Sequence, residues 1–297
     1  MNTLGKPLVP VLAVIGTGLI GGSFAAALRQ QRQVGRVLGV GRRAASLKQA
    51  TELGLIDEAV DLVQAAAQAD LIFIATPVGA MGGVLRELAP HLRDDCLLTD
   101  AGSTKADVMA LAREALGERY PQFIPGHPIA GSERVGPAAA DASLYEGKKV
   151  VLTPFAQTPA LLQERLVNIW QACGARVLLM DAPAHDRALA AVSHLPHFLA
   201  AAYMAQTIQA KDADTRLSLA GTGFRDFTRI AAGSPEIWRD IFLSNREALL
   251  KELDGFEKAL AQLKNTLEEP ADDDRLESIL EQAALARRFW DGRSQMS

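Results

Sequence analysis

A chain of 297 residues, 48% hydrophobic and 22% charged, has ample apolar material for one large core or two smaller ones. Its formal net charge of -4 argues against nucleic acid or an anionic membrane surface as a partner. Cys96 and Cys173 stand alone in apolar surroundings, which excludes a disulfide framework and a zinc site. We expect two buried thiols, no metal and a cytoplasmic setting.

The first segment is ambiguous by hydropathy. No charged residue occurs from Leu8 to Leu28, as in a signal peptide or a short membrane span. Glycines at 16, 18, 21 and 22 interrupt it at the spacing of a nucleotide-binding turn, so it reads as strand, turn and a helix opening near Leu19. Short apolar runs at 37–40, 71–75 and 97–99 read as buried strands, and 44–53 and 81–92 carry helical periodicity. Such alternation implies right-handed crossovers and a parallel sheet covered on both faces. Strands are also predicted at 123–125, 150–153 and 177–180, with a helix over 159–173. Beyond Asp181 no strand follows. Residues 183–209 read as one apolar helical stretch broken only by Pro196. Helices recur around 214–222, 235–267 and 275–290, with an acidic surface loop at 268–274. The expected organisation is a doubly wound, Rossmann-type α/β domain over 1–181, then an all-α domain over 182–297. Its long apolar helix faces call for a homodimer.

The turn Gly16-Thr17-Gly18-Leu19-Ile20-Gly21 fits G-x-G-x-x-G between a predicted strand and a predicted helix. In that context Gly16 permits the tight turn, Gly18 admits a pyrophosphate, and Gly21 allows close helix packing. The helix start at Leu19 and Ile20 offers free N–H groups to the phosphates. An NAD site usually has a carboxylate after the second strand; here no acidic residue precedes Glu52, and Gly41-Arg42-Arg43 stands in its place. Guanidinium forks suit a 2′-phosphate, so NADP is the expected cofactor, with NAD as a second possibility. The turns carrying Thr76-Pro77 and Ser103 follow strands and should face the nicotinamide. Ser103 also reads as the N-cap of the next helix.

Gly126-His127-Pro128-Ile129-Ala130-Gly131-Ser132-Glu133 places a histidine just after a short strand, with a carboxylate six residues on. Ser193-His194-Leu195-Pro196-His197 adds two histidines at i and i+3, of which His194 reads as a satisfied, buried ring. Arg225 and Arg229 lie at i and i+4 in Gly223-Phe224-Arg225-Asp226-Phe227-Thr228-Arg229, followed closely by Trp238. Together these segments resemble the prephenate and arogenate dehydrogenase family, from the glycine turn almost to the C-terminus.

That resemblance implies a Rossmann domain joined to a helical dimerisation domain, and oxidative decarboxylation of prephenate or arogenate on the route to tyrosine. It makes His127 the neutral proton acceptor for the ring hydroxyl, with Ser103 bonded to the same group. Arg229 would clamp a carboxylate through a desolvated guanidinium, and His197 would lie near the side chain. Arg225 would add positive charge, and Glu133 and Trp238 would line the pocket. By position, Ser132 is a candidate for choosing between keto and amino side chains. An activity limb near pH 6.5 is expected for His127. The alternatives are a 3-hydroxyacyl-CoA or β-hydroxyacid dehydrogenase and a non-enzymatic NADP-binding regulator.

Overall fold

The computed structural model describes residues 6–131, 134–268 and 273–296. Val9–Ile15 (β1) leads through the glycine turn into Leu19–Gln30 (α1), and Val34–Val40 (β2) follows. Then come Ala44–Glu52 (α2), Glu58–Ala59 (β3), Leu62–Gln68 (α3) and Leu71–Ile74 (β4). Val78–Leu88 (α4), Leu97–Asp100 (β5), Ala106–Leu116 (α5) and Phe123–Ile124 (β6) complete the nucleotide-binding layer. Strands β1 to β6 form one parallel sheet in the order β3-β2-β1-β4-β5-β6. Alternate residues of β1 go to opposite faces: Leu12 and Val14 pack with Phe24, Phe73 and Trp170, while Ala13 and Ile15 pack with Met81, Leu85 and Val108. A sheet buried on both faces explains why its strands read as unbroken apolar runs. The ambiguous opening segment is β1, the turn and α1, and both cysteines are buried as expected.

The later strands depart from expectation. Gly126–Pro128 (β7), Lys149–Leu152 (β8) and Arg176–Leu179 (β9) make a separate three-stranded sheet, in which β7 runs antiparallel to β8. Ala160–Ala172 (α6) connects β8 to β9. The predicted strand at 123–125 is β6, and β7, which was not expected, follows directly after Pro125 in the other sheet.

After β9 the described chain is helical: Ala182–Leu189 (α7), a π-helical turn at Ala190–His194, and Leu195–Gln209 (α8). The helical run is not ended by Pro196: it continues into α8, and the π turn lies immediately before the proline, which has no N–H to give the ladder. Ala213–Ser218 (α9), Thr222–Thr228 (α10) and Pro235–Ser244 (α11) follow, then Arg246–Glu268 (α12) and Asp273–Met296 (α13). Most of the predicted acidic loop at 268–274 lies outside the described residues. Packing groups residues 1–246 into one compact unit, and 247–297 form a second, so α7 to α11 pack with the sheets although strands cease at Leu179. The run Ala182–Gln209 is long and apolar enough, by length and composition, to cross a membrane. It also holds buried His185, Asp186 and His194, and exposes Phe198, Tyr203 and Ile208.

Candidate active site

A buried ion pair sets the position of the histidine strand. Lys105 and Asp100, both fully buried, are bonded to each other, and Lys105 Nζ also donates to the Gly126 carbonyl at 2.6 Å. Asp100 accepts from the N–H groups of Gly102 at 2.7 Å and Gly126 at 3.0 Å. A Cβ on Gly126 would lie 3.0 Å from the Asp100 carbonyl oxygen and 3.1 Å from Thr99 Oγ1, a tight fit that a side chain could take only if β5 and β7 eased apart by a few tenths of an ångström. Burial lowers the Lys105 pKa, and Asp100 opposes that. Asp100 and Lys105, which flank the Ser103 turn, are thus the strut that holds His127 at the carboxyl end of the main sheet.

His127 is buried, and its Nδ1 lies 2.9 Å from His185 Nε2. His185 Nδ1 in turn lies 2.7 Å from Asp186 Oδ1. A carboxylate can only accept, so His185 carries its proton on Nδ1 and presents a lone pair at Nε2. With both rings neutral, His127 must donate from Nδ1, which leaves the lone pair of its own Nε2 free. The chain Asp186–His185–His127 therefore selects the tautomer a proton acceptor needs. Burial would raise the Asp186 carboxyl, but hydrogen bonds from His185, Ala106 N–H and Lys105 N–H outweigh it and keep the group below the usual range. The last two bonds, both 2.8 Å, put Asp186 on the N-terminus of α5. Ser103 is consequently not the cap of α5; that role falls to Asp186, some 80 residues away. Half-buried Ser103 lies between Gly102 and Thr104 in the turn held by Asp100.

The His127 pKa is pushed well below 6.5, first by burial and then by the charges of His185, Lys105 and His194. A limb that reports this ring is accordingly expected on the acid side of pH 6.5. Neither His185 nor Asp186 was singled out by the sequence. The available signal was the ionisable stretch His185-Asp186-Arg187 at the start of an otherwise largely apolar helical run, where a solvated face is the ordinary reading.

His194 also differs from expectation: it is buried, but only Nδ1 has a partner, Asn245 Nδ2 at 3.1 Å. His197 donates from Nδ1 to the Ser193 carbonyl at 2.9 Å and stacks on Trp238 with ring centroids 3.6 Å apart. Its pKa is lowered by burial and by nearby Arg229, against the Ser193 carbonyl, which raises it. His197 and Trp238 line a cavity of about 450 Å³ with Ala201, Ile230, Arg239 and Phe242. Arg229 and Arg225 are exposed, so the expected desolvated guanidinium is not met within one chain. Ser132 and Glu133 lie outside the described residues.

A second cavity, about 580 Å³, opens over the glycine turn. It is lined by Gly16, Thr17 and Gly18, by Arg42 and Arg43, and by Thr76 and Pro77. Gly16 has φ +98, and a Cβ there would meet the Ala75 carbonyl oxygen at 2.5 Å. Leu19, Ile20 and Gly21 form the first turn of α1, outside this lining. Thr76 Oγ1 is buried without a partner beside the cavity. Asp61 also lines it, but its carboxylate is engaged in capping α3 through Gln64 N–H at 2.7 Å.

Comparison with known proteins agrees with this geometry. Residues 24–179 match the family described as prephenate dehydrogenase, nucleotide-binding domain, and residues 181–282 match prephenate dehydrogenase, dimerization domain. A cyclohexadienyl dehydrogenase of Zymomonas mobilis is 36% identical over 91% of this chain and 92% of its own. The structure of A. aeolicus prephenate dehydrogenase in complex with hydroxyphenyl propionate and NAD+ superposes with a TM-score of 0.88 at 34% identity, covering 97% of this chain and 99% of that one. Synechocystis arogenate dehydrogenase gives 0.80 at 32%, covering 94% and 99%. With a Rossmann-type sheet and matches to both domains over most of its length, the chain belongs to the prephenate dehydrogenase family.

Proposed function

We propose that the protein oxidatively decarboxylates prephenate, or its amino counterpart arogenate, in tyrosine biosynthesis, using NADP in preference to NAD. The observation that carries this reading is the Asp186–His185–His127 chain, which leaves an unprotonated Nε2 available to a substrate hydroxyl. The family matches favour it over the acyl-CoA, β-hydroxyacid and regulatory alternatives.

The residues around the glycine turn fit a dinucleotide. The start of α1 presents unpaired N–H groups, the turn is open at Gly18, and the buried Thr76 hydroxyl lacks a partner. When bound, the oxidised nicotinamide supplies the hydride acceptor. The chain's residues manage the proton. His127 Nε2 takes it from the ring hydroxyl as the carbinol carbon is oxidised. Loss of carbon dioxide then aromatises the ring and leaves a phenolate oxygen, to which His127 returns the proton. No proton is gained or lost overall, so the site needs one group that changes hands with it and no second acid. Ser103 hydrogen-bonds the same oxygen. Arg229 holds a carboxylate, His197 faces the side chain against Trp238, and Arg225 adds positive potential near the entrance. Glu133 and Ser132 complete the histidine loop. The division of labour is a nucleotide domain over 1–181 and a substrate and dimerisation domain over 182–297. A second copy covers the exposed Phe198, Tyr203, Ile208 and Phe227, and desolvates Arg229 in doing so. As a homodimer of this kind the protein works in the cytoplasm, without nucleic acid or membrane.

Following reduced-nicotinamide absorbance while crossing prephenate and L-arogenate with NADP and NAD tests the reading. Turnover is expected with prephenate and NADP; no turnover in any pairing would overturn it. Two variants refine it. Arg42→Ala with Arg43→Ala should raise the KM for NADP by about ten- to a hundredfold and leave that for NAD within a few-fold. Equal effects on both would remove the arginines from the 2′-phosphate. Arg229→Ala should raise the prephenate KM by about ten- to a hundredfold at unchanged NADP affinity, and an unaltered KM would exclude Arg229 from the site.

A further inference from the structure

We propose that His194 contacts the substrate, its Nε2–H donating a hydrogen bond to the same oxygen that His127 deprotonates; this rests on the reaction proposed above. The His194 ring is 1% exposed. Asn245 fixes its tautomer. One Asn245 Nδ2 proton goes to the Asp186 main-chain carbonyl at 2.8 Å, which can only accept, and that identifies Nδ2 as the amide nitrogen. The other goes to His194 Nδ1 at 3.1 Å. Nδ1 therefore holds the lone pair, and the neutral ring carries its proton on Nε2. That N–H is closed to solvent and has no acceptor among the described residues. Buried donors without partners are rare because each forfeits a hydrogen bond that water would have given. This one stands among groups that already point to a ligand. Trp238 meets the ring edge-on at 6.4 Å, and His127, His185, His197 and Asp186 are close enough for their charges to act on it or its charge on them.

The chemistry chooses the acceptor. Burial pushes His194 down to about 4, so the ring is uncharged at working pH. A permanent carboxylate calls for a guanidinium, and Arg229 and Arg225 provide that. A neutral imidazole N–H suits an oxygen that is negative only during turnover, since the bond then strengthens in the transition state more than in the ground state. Neutral imidazole is a known electrophile in this sense. The ring oxygen gains negative charge twice. The first time is when its O–H bond breaks and the proton passes to His127 Nε2, while the C–H electron pair leaves as hydride for the nicotinamide. The second is when the C–CO2 bond breaks, its electron pair enters the ring, and the oxygen becomes a phenolate before taking its proton back. His194 keeps its own proton throughout.

His194→Leu and His194→Gln test the assignment, the glutamine retaining an N–H near the position of Nε2. With prephenate and NADP, His194→Leu should lose roughly ten- to a hundredfold in kcat, with KM within about threefold, and His194→Gln should recover most of it. In histidine-labelled wild-type protein, the His194 Nε2–H resonance should move downfield when hydroxyphenyl propionate and NADP are added together. A folded leucine variant with wild-type kcat, or a resonance unmoved at saturating ligand, overturns the proposal. Should wild-type protein turn over neither prephenate nor arogenate, the reaction assignment fails. The resonance experiment would still decide whether His194 meets a phenolic oxygen.

Discussion

With His127 replaced by asparagine, kcat for prephenate is expected to fall roughly 10²–10⁴-fold, the scale of a lost general base, while NADP binds as before. Asparagine can still donate to His185 Nε2, so the buried chain keeps its partner and the protein should fold. The pH profile makes the test specific. The neutral ring is the active form, and burial with the charges of His185, Lys105 and His194 disfavours the protonated one. Wild-type kcat/KM should therefore be flat from alkaline pH down past 6.5 and drop only at more acid values. The residual activity of the asparagine variant should lack that limb. A variant retaining wild-type turnover would make His127 structural.

The second large effect is expected at a residue that touches no substrate. Asp186→Asn replaces an obligate acceptor with a side chain that can donate to His185 Nδ1. His185 then shifts its proton to Nε2, where it confronts the Nδ1 proton of His127. Relief requires His127 to move its own proton to Nε2, which abolishes its lone pair on the substrate side. In a triad where the same substitution misplaces a tautomer, the loss in kcat is about 10⁴-fold, and roughly 10²–10⁴-fold is expected here. Turned so that Nδ2 donates to His185 Nδ1, the asparagine still accepts from Ala106 N–H through its one oxygen and loses only the bond from Lys105 N–H, so a modest loss of stability accompanies the change. Thermal unfolding and NADP affinity near wild type, beside collapsed turnover, would separate proton placement from folding. Undiminished kcat would show that the tautomer is set otherwise.

How much of this could be read beforehand follows from the length and burial of each element. The strands β1, β2 and β4 were legible because burial on both faces leaves apolar runs at 12–15, 37–40 and 71–74, and β5 showed through Leu97 and Leu98 before its polar end. Two-residue β3, with Glu58 in it, and three-residue β7, ending in Pro128, are too short to show a period; β8 and β9 were legible as strands, but not that they form a sheet of their own with β7. Around the cofactor, Gly16, Gly18, Arg42, Arg43, Thr76 and Pro77 gather about one cavity because local turn chemistry places each of them. His127 could be singled out, but the partners that set its tautomer could not. The bonds from Asp186 to Lys105 and Ala106, and from His185 to His127, span 58 to 81 residues of sequence. Long-range pairings of this kind leave no periodic trace. Arg229 is the converse case: its type and spacing were visible, but its exposure in the single chain was not.

The π turn at Ala190–His194 has a geometrical effect on which histidines can meet. In a regular helix each residue advances about 100°, so His185 and His194, nine positions apart, would face opposite ways. A π turn holds one residue more than an α turn, which subtracts about 100° and swings the two rings toward the same side. His185 can then serve His127 while His194 and His197 both look toward Trp238. The convergence of three imidazoles thus depends on a single surplus residue in the backbone. A shortened chain could fold as a smoother helix with better internal bonding, and its histidines would point past one another.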